Sequence, residues 1–252
     1  MIDPVAFTVG SIDVRWYGIV IAGAVAIALP WAIERARRRG LNPAHTETVL
    51  WLAILGGLIG ARAGYVIQNL GYFGTHPLDV VQLTTGGLSI HGMLVGGFIA
   101  AWIAARRYGV AFVPLADAAV PPMLLGMILG RLGNFANSEL FGPPTNVSWK
   151  LFIPVNSRPE GMSEIAYYHP TFLYDSLLNT LVLVALLIYE RRMHTPGRLT
   201  LWFLAGIALT RFIVEFWRLG DVLPIGLTLA QLVSLLLLAG AGLALLRRSS
   251  PT

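Results

Sequence analysis

Long apolar runs alternate along the whole chain with short polar or basic ones. Seven stretches read as membrane helices, at about residues 15–33, 48–70, 88–105, 115–135, 171–189, 199–217 and 227–246. Each approaches the roughly 20 residues that a helix needs to cross hydrocarbon. Two intervals break the rhythm. Residues 71–87, with Pro77 and Gly86-Gly87, read as an outside loop or re-entrant segment; residues 136–169, more polar and proline-rich, read as a small external lobe between the fourth and fifth spans. The pattern predicts an all-α, polytopic membrane protein, with one membrane-embedded domain over residues 1–252. Gly56, Gly60 and Gly64 in the second span, and Gly92 and Gly96 in the third, repeat at four-residue spacing. Such spacing lets helix backbones approach closely.

Charge orients this pattern. Eleven of the eighteen Lys/Arg residues, among them Arg35, Arg37, Arg38, Arg39, Arg106, Arg107, Arg191, Arg192 and Arg248, flank one set of span ends, and only four (Arg15, Lys150, Arg158 and Arg218) fall on the other side. The excess of basic residues on the cytoplasmic side then places the N-terminus outside and the C-terminus inside. Net charge is +5, but the basic residues sit just beyond apolar runs, so they orient the chain rather than bind nucleic acid. The chain is 56% hydrophobic and 12% charged, far from the roughly 25% charged residues of soluble proteins. There are no cysteines, which excludes disulfides, thiolate metal sites and an intermediate on the protein's own sulfur. The N-terminal stretch has its basic cluster after the first apolar run, opposite to a secretory signal, and no cleavage is expected. No phosphate-binding loop, HExxH pair or Cys/His cluster is present, so neither ATP-driven transport nor zinc chemistry is expected, and no cofactor or metal is assigned.

The chemistry concentrates in Gly126 to Gly142, GMILGRLGNFANSELFG. An apolar helix there runs directly into Arg131, Asn134, Asn137 and Glu139 before breaking at Gly142-Pro143-Pro144. A guanidinium at the end of a membrane helix costs a few kcal/mol unless it has a partner or a task. Holding a lipid phosphate is such a task; a snorkelling arginine with Asn caps is the plainer alternative. Arg62 lies mid-span and should face protein or a water-filled cavity, with structural pairing and function both open. Arg211 and Glu215 are four apart on one helical face, which also suits a simple ion pair. Arg131 and Arg211 fall at the same depth, and two planar forks could clamp one phosphodiester. His91, in Gly-Gly-Leu-Ser-Ile-His-Gly, falls at that level too, and imidazole suits base work near neutrality. His169, before Pro170, is a second candidate, and His194 reads as a loop residue.

The stretch G-R-L-G-N-F-A-N-S-E-L-F-G resembles the signature of the prolipoprotein diacylglyceryl transferase family. Support comes from Arg15-Trp16-Tyr17-Gly18, the segment around His91, His169-Pro170-Thr-Phe-Leu-Tyr174-Asp175 and Arg211-Phe-Ile-Val-Glu215-Phe-Trp-Arg218, so that the resemblance spans nearly the full length. It implies a multi-pass enzyme of the bacterial inner membrane, working at the periplasmic side and as a monomer. Such an enzyme moves the diacylglyceryl group of phosphatidylglycerol onto the lipobox cysteine of a prolipoprotein and releases glycerol phosphate. By the same resemblance, Arg131 and Arg211 match essential arginines, His91 a proposed base, and Tyr17, Asn134, Glu139, Gly142 and Glu215 other important positions. Asn134 and Asn137 are expected to meet glycerol hydroxyls, and His169 to contribute to substrate binding. Two positions depart from the pattern: Ile207 stands where many relatives carry Tyr, and Asp175 where they carry Glu.

The residues fit this reaction by themselves. A thiol must lose its proton, a task for His91 or Glu139, and charge building on a departing phosphate must be offset, a task for Arg131 with Arg211. Two other classes fit less well. A transporter or channel would place its charged site near the midplane and commonly carries an inverted repeat, neither of which is read here. A non-catalytic lipid-binding protein would need the clamp but no base.

Overall fold

Proline, glycine and polar caps set where the apolar runs become helices. A computed structural model of the chain describes residues 3–10, 12–82, 86–192 and 195–247. His194 and Arg248 lie outside the described residues. A short antiparallel hairpin opens the chain, β1 (Val5–Val9) with β2 (Ile12–Arg15), and leads directly into α1 (Trp16–Arg38). α1 ends on Arg35, Arg37 and Arg38, cations that suit the negative end of a helix. α2 (Pro43–Gln68) starts with Pro43 in its first turn and the Asn42 side chain accepting from His45 N–H at 3.2 Å. A short α3 (Leu70–Thr75) and a 3₁₀ turn at Pro77–Val81 follow. α4 (Ile90–Arg107) is capped by Ser89, and α5 (Phe112–Ala136) contains Pro121 and Pro122 in its interior. The polar interval after α5 carries β3 (Leu151–Phe152) and β4 (Tyr167–Tyr168), paired antiparallel. The chain finishes with α6 (Thr171–Glu190), α7 (Arg198–Val214), a 3₁₀ turn at Glu215–Trp217, and α8 (Leu229–Arg247).

The seven segments read as spans correspond to the seven long helices. Six of these, α1, α2, α5, α6, α7 with its following turn, and α8, are long and apolar enough to cross a membrane. α4 is not among the six: its 18 residues include His91 in the first turn and Arg106 and Arg107 in the last. Helix dominates as expected, and the two small hairpins are what the apolar periodicity missed. β3 and β4, two residues each, are too short to show a strand rhythm, and β1, VAFTV, is apolar at nearly every position rather than alternating.

The chain forms two compact units, residues 29–119 and residues 1–28 with 120–252. In the first, α2 and α4 pack backbone to backbone. A methyl on Gly60 would strike the carbonyl of Gly92, and one on Gly96 the carbonyl of Gly56. The four-residue glycine spacing is thus used for close helix approach, because no side chain separates the two backbones. Beside this contact Val49, Ala104, Ala105, Val110 and Leu115 form a buried cluster. Arg62, 8% exposed, donates from Nε to Val80 O at 2.7 Å and from a terminal nitrogen to Gly86 O and Gly87 O at 2.9 and 3.0 Å, with Asp79 O as a further acceptor. Of the two readings of Arg62, structural pairing is the one these contacts support, and its partners are main-chain carbonyls.

In the other unit, α6 packs on α7 and α7 on α8, forming successive antiparallel hairpins. The C-terminal end of α7 and the N-terminal ends of α6 and α8 therefore share one end of this unit, and the Arg131–Asp175 ion pair brings the C-terminal end of α5 to the start of α6. Ile153, Tyr168 and Phe172 are almost fully buried there, with Phe141 against Tyr168 and Phe135 against Phe172.

Candidate functional site

Arg131 lies in the last two turns of α5 and anchors one polar chain. One terminal nitrogen donates to Asn134 Oδ1 at 3.1 Å, and the other pairs with the carboxylate of Asp175 on α6. Asn134 passes the connection on, donating from Nδ2 to Glu139 Oε1 at 2.9 Å, and Asn137 Nδ2 donates to the same oxygen at 3.3 Å. The i, i+3 spacing of Arg131 and Asn134 sets them on one helical face. Glu139 is reached because the chain turns back just past the helix. Ser138 and Leu140 on either side of it both have φ of +55°, the left-handed region that non-glycine residues rarely enter. Such backbone costs of order 1 kcal/mol or more per residue and persists only where surroundings enforce it. Here Glu139 N–H donates to Asn134 O at 3.0 Å, and the Thr171 hydroxyl to Leu140 O at 2.7 Å.

Arg211, near the end of α7, anchors a second chain. Its guanidinium meets Glu215 at 2.9 Å, the ion pair anticipated from their i, i+4 spacing. Glu215 belongs to the 3₁₀ turn after α7, is 7% exposed, and accepts from the Thr228 hydroxyl at 3.0 Å.

Arg218 relates the two chains. Burial pushes its guanidinium down to about 10, and the positive charges of Arg211 and Arg131 push the same way, against Asp175 and Glu215. Two arginines and two carboxylates, drawn from both chains, therefore act on Arg218 electrostatically. Tyr17, in the first turn of α1, lies within electrostatic reach of Glu139 and Arg131, and its ring rests against Gly133, where a methyl would collide with it. Gly142 is needed for close approach as well. A methyl there would run into the Trp217 carbonyl and the Thr171 methyl, and Gly142 N–H donates to His169 O at 2.8 Å. His169 Nδ1 lies 3.0 Å from the Tyr174 hydroxyl, which accepts from Trp149 Nε1 at 2.8 Å. That leaves the tyrosine proton for Nδ1, and favours the tautomer with hydrogen on Nε2.

Of the residues singled out from the sequence, Tyr17, Arg131, Asn134, Asn137, Glu139, Gly142, His169, Arg211 and Glu215 all belong to this unit. His91 belongs to the other. It is exposed in the first turn of α4, two residues after the Ser89 cap. Asp175, Arg218, Thr228 and Gln231 join these contacts without having stood out in the sequence as site residues. The Thr228-Leu-Ala-Gln231 capping pattern was a usable signal for the last two. For Asp175 the signal was its place in the His-Pro motif. Among the described residues no group of three His, Cys, Asp or Glu could hold a metal ion.

Six helices of membrane-crossing length, with arginines and carboxylates paired near helix ends, define a polytopic membrane protein. The family model for prolipoprotein diacylglyceryl transferase matches residues 4–247. A phosphatidylglycerol–prolipoprotein diacylglyceryl transferase of Synechocystis is 39% identical over 260 residues, covering 98% of this chain and 92% of its own length. Proteins with the same description from Thermosynechococcus vestitus and Gloeobacter violaceus are 41% and 38% identical, covering 91% and 98% of this chain and 87% and 94% of their own. The chain belongs to the prolipoprotein diacylglyceryl transferase family.

Proposed function

We propose that this protein transfers the diacylglyceryl group of phosphatidylglycerol to the thiol of a prolipoprotein's lipobox cysteine, forming a thioether and releasing glycerol phosphate. The observation that carries this reading is that Nε of Arg131, Nε of Arg218 and Oδ1 of Asn137 are buried without hydrogen-bond partners, whereas Asp175 Oδ2 and Glu215 Oε2, likewise without hydrogen bonds, meet Arg131 and Arg211 as ion pairs. Two guanidinium donors suit phosphate oxygens, and an amide oxygen suits a glycerol hydroxyl. In the reaction the cysteine sulfur attacks the glycerol carbon and the carbon–oxygen bond to phosphate breaks. The electron pair leaves on the phosphate, and the thiol proton goes to a base. Arg131 and Arg211 stabilise the leaving phosphate, where donors already fixed by Asn134, Asp175 and Glu215 need no rearrangement as charge develops. Glu139, exposed and oriented by Asn134 and Asn137, can accept the proton. His91, exposed in the first turn of α4, is a second base candidate by its place in the sequence and by the family resemblance. Tyr17, Gly142 and His169 shape the substrate site.

The chain acts as one transferase domain, a monomer in the bacterial inner membrane with the site toward the periplasm. α4 serves as a seventh span, the N-terminus lies outside and the C-terminus inside, in keeping with the bias of basic residues. The deciding assay uses purified protein, phosphatidylglycerol labelled in its diacylglyceryl part, and a lipobox peptide with its Cys-to-Ser control. Label should move to the cysteine peptide alone, and Arg131→Ala should abolish transfer. Full activity of folded, membrane-inserted Arg131→Ala would refute the clamp. Glu139→Gln and His91→Gln in the same assay assign the proton.

A further inference from the structure

The N-terminus of α8 makes more contacts than helix capping requires. Thr228 is its N-cap: the Thr228 carbonyl accepts the first helical bond from Leu232 N–H at 3.1 Å, and Gln231 N–H donates to the Thr228 hydroxyl oxygen at 3.2 Å. Gln231 reciprocates, its Oε1 accepting Thr228 N–H at 3.0 Å, which completes a capping box. In an ordinary capping box the hydroxyl hydrogen is left to water. Here Thr228 is 8% exposed and Gln231 3%, and the hydroxyl donates instead to Glu215 Oε1 at 3.0 Å. The other oxygen of that carboxylate pairs with Arg211.

The hydroxyl thus has its lone pair fixed by the helix start and its hydrogen fixed on Glu215. A carboxylate on a flexible side chain can turn about its last torsion. With one oxygen tied to a helix N-cap, Glu215 presents the other oxygen to Arg211 in one orientation. We infer that Thr228 is a positioning residue for Arg211, acting through Glu215, so that the start of α8 sets the aim of the guanidinium at the end of α7. This inference rests on the reading of Arg211 as a contact for the lipid phosphate.

Thr228→Val, Thr228→Ser, Thr228→Gly and Gln231→Ala separate the two tasks of the cap. Each is reconstituted in vesicles containing labelled phosphatidylglycerol, and kcat and KM are measured with a lipobox peptide beside thermal stability. Valine keeps the shape and removes the hydroxyl, whereas glycine removes it at an N-cap that tolerates glycine well. Thr228→Val and Thr228→Gly should lose about tenfold or more in kcat/KM for the lipid, and Thr228→Ser should stay near the parent. Gln231→Ala weakens the helix start but leaves the Thr228 hydroxyl in place, so it should lower the melting temperature with little change in kcat/KM. Thr228→Gly carries the test if the valine variant does not fold.

The inference is overturned if folded Thr228→Gly or Thr228→Val keeps the parent kcat/KM. It is also overturned if activity across all four variants simply follows the loss in stability. Arg211→Ala serves as the reference. If it retains transfer, the phosphate reading of Arg211 fails and this inference fails with it. If it is inactive while the Thr228 variants are active, only this inference fails.

Discussion

Asp175, in the second turn of α6, holds the guanidinium of Arg131 in the last two turns of α5. Asp175 is 4% exposed, and Asn179 Nδ2 donates to its other carboxylate oxygen at 3.4 Å. Removing one partner of a buried ion pair leaves an uncompensated charge and costs about 3 kcal/mol or more. Asp175→Asn should therefore lower the melting temperature by several degrees and reduce transfer at least tenfold, while Asp175→Glu keeps most of both. Thermal unfolding and the labelled-lipid assay on the same preparations check this. Activity retained in Asp175→Asn would show that Arg131 is aimed by Asn134 alone.

Much of this molecule was legible before its structure, and the reasons differ by feature. The six helices of membrane-crossing length follow from long apolar runs, a composition signal that needs no knowledge of neighbours. Arg131, Asn134, Asn137 and Glu139 stood out because four polar residues crowd the end of an apolar helix. Arg62 was legible only as a charge needing partners. Its partners are carbonyls in a stretch read as an outside loop or re-entrant segment, and main-chain acceptors leave no trace in residue identities. Thr228 and Gln231 have the spacing of an ordinary capping box, and nothing local says that Glu215, thirteen residues earlier, faces the Thr228 hydroxyl. The left-handed turn around Glu139 was equally hidden, since Ser138 and Leu140 do not advertise positive φ as glycine does.

Arg218 should trade stability for binding. Its proton is held less tightly in the folded protein than in an unfolded chain, about 10 against the usual guanidinium range, because burial and two neighbouring arginines disfavour the charge. The charged form is thus a destabilising element below about pH 10. Above that value the unfolded chain binds more protons than the folded one, and the contribution of Arg218 turns more favourable as pH rises. Arg218→Gln should raise the melting temperature near neutrality and weaken binding of phosphatidylglycerol. It should also remove that part of the pH dependence. Unfolding curves at pH 7 and in the alkaline range, with lipid binding measured alongside, test both signs.

Arg62 should matter for folding rather than chemistry. Its guanidinium satisfies main-chain carbonyls of Asp79, Val80, Gly86 and Gly87 and stacks near the rings of Tyr65 and Phe73. Charge-assisted bonds contribute about 1.5–3 kcal/mol each, so Arg62→Leu should destabilise by on the order of 3 kcal/mol or more. Arg62→Lys should recover only part, because a single ammonium cannot reproduce the planar fork. Limited proteolysis should show the segment between α3 and α4 cut sooner in both variants. An Arg62→Leu protein with the parent's melting temperature and protease resistance would contradict this.

Gly60 and Gly23 make a matched pair, since both are glycines inside long apolar helices. A methyl on Gly60 would meet the Gly92 carbonyl and the Gly96 Cα, backbone atoms that cannot swing aside, whereas a methyl on Gly23 has nothing within 4 Å. Alanine is favoured over glycine within a helix by roughly 1 kcal/mol, so in open space the exchange is neutral or helpful. Gly23→Ala should therefore express and unfold like the parent or slightly better. Gly60→Ala must push α2 away from α4 along their closest contact, and should lower the melting temperature markedly. Gly60→Leu should prevent recovery of folded protein. The contrast is measured by yield after detergent extraction and by thermal unfolding, and equal behaviour of the two alanine variants would mean that the α2–α4 backbone contact is not close in the membrane.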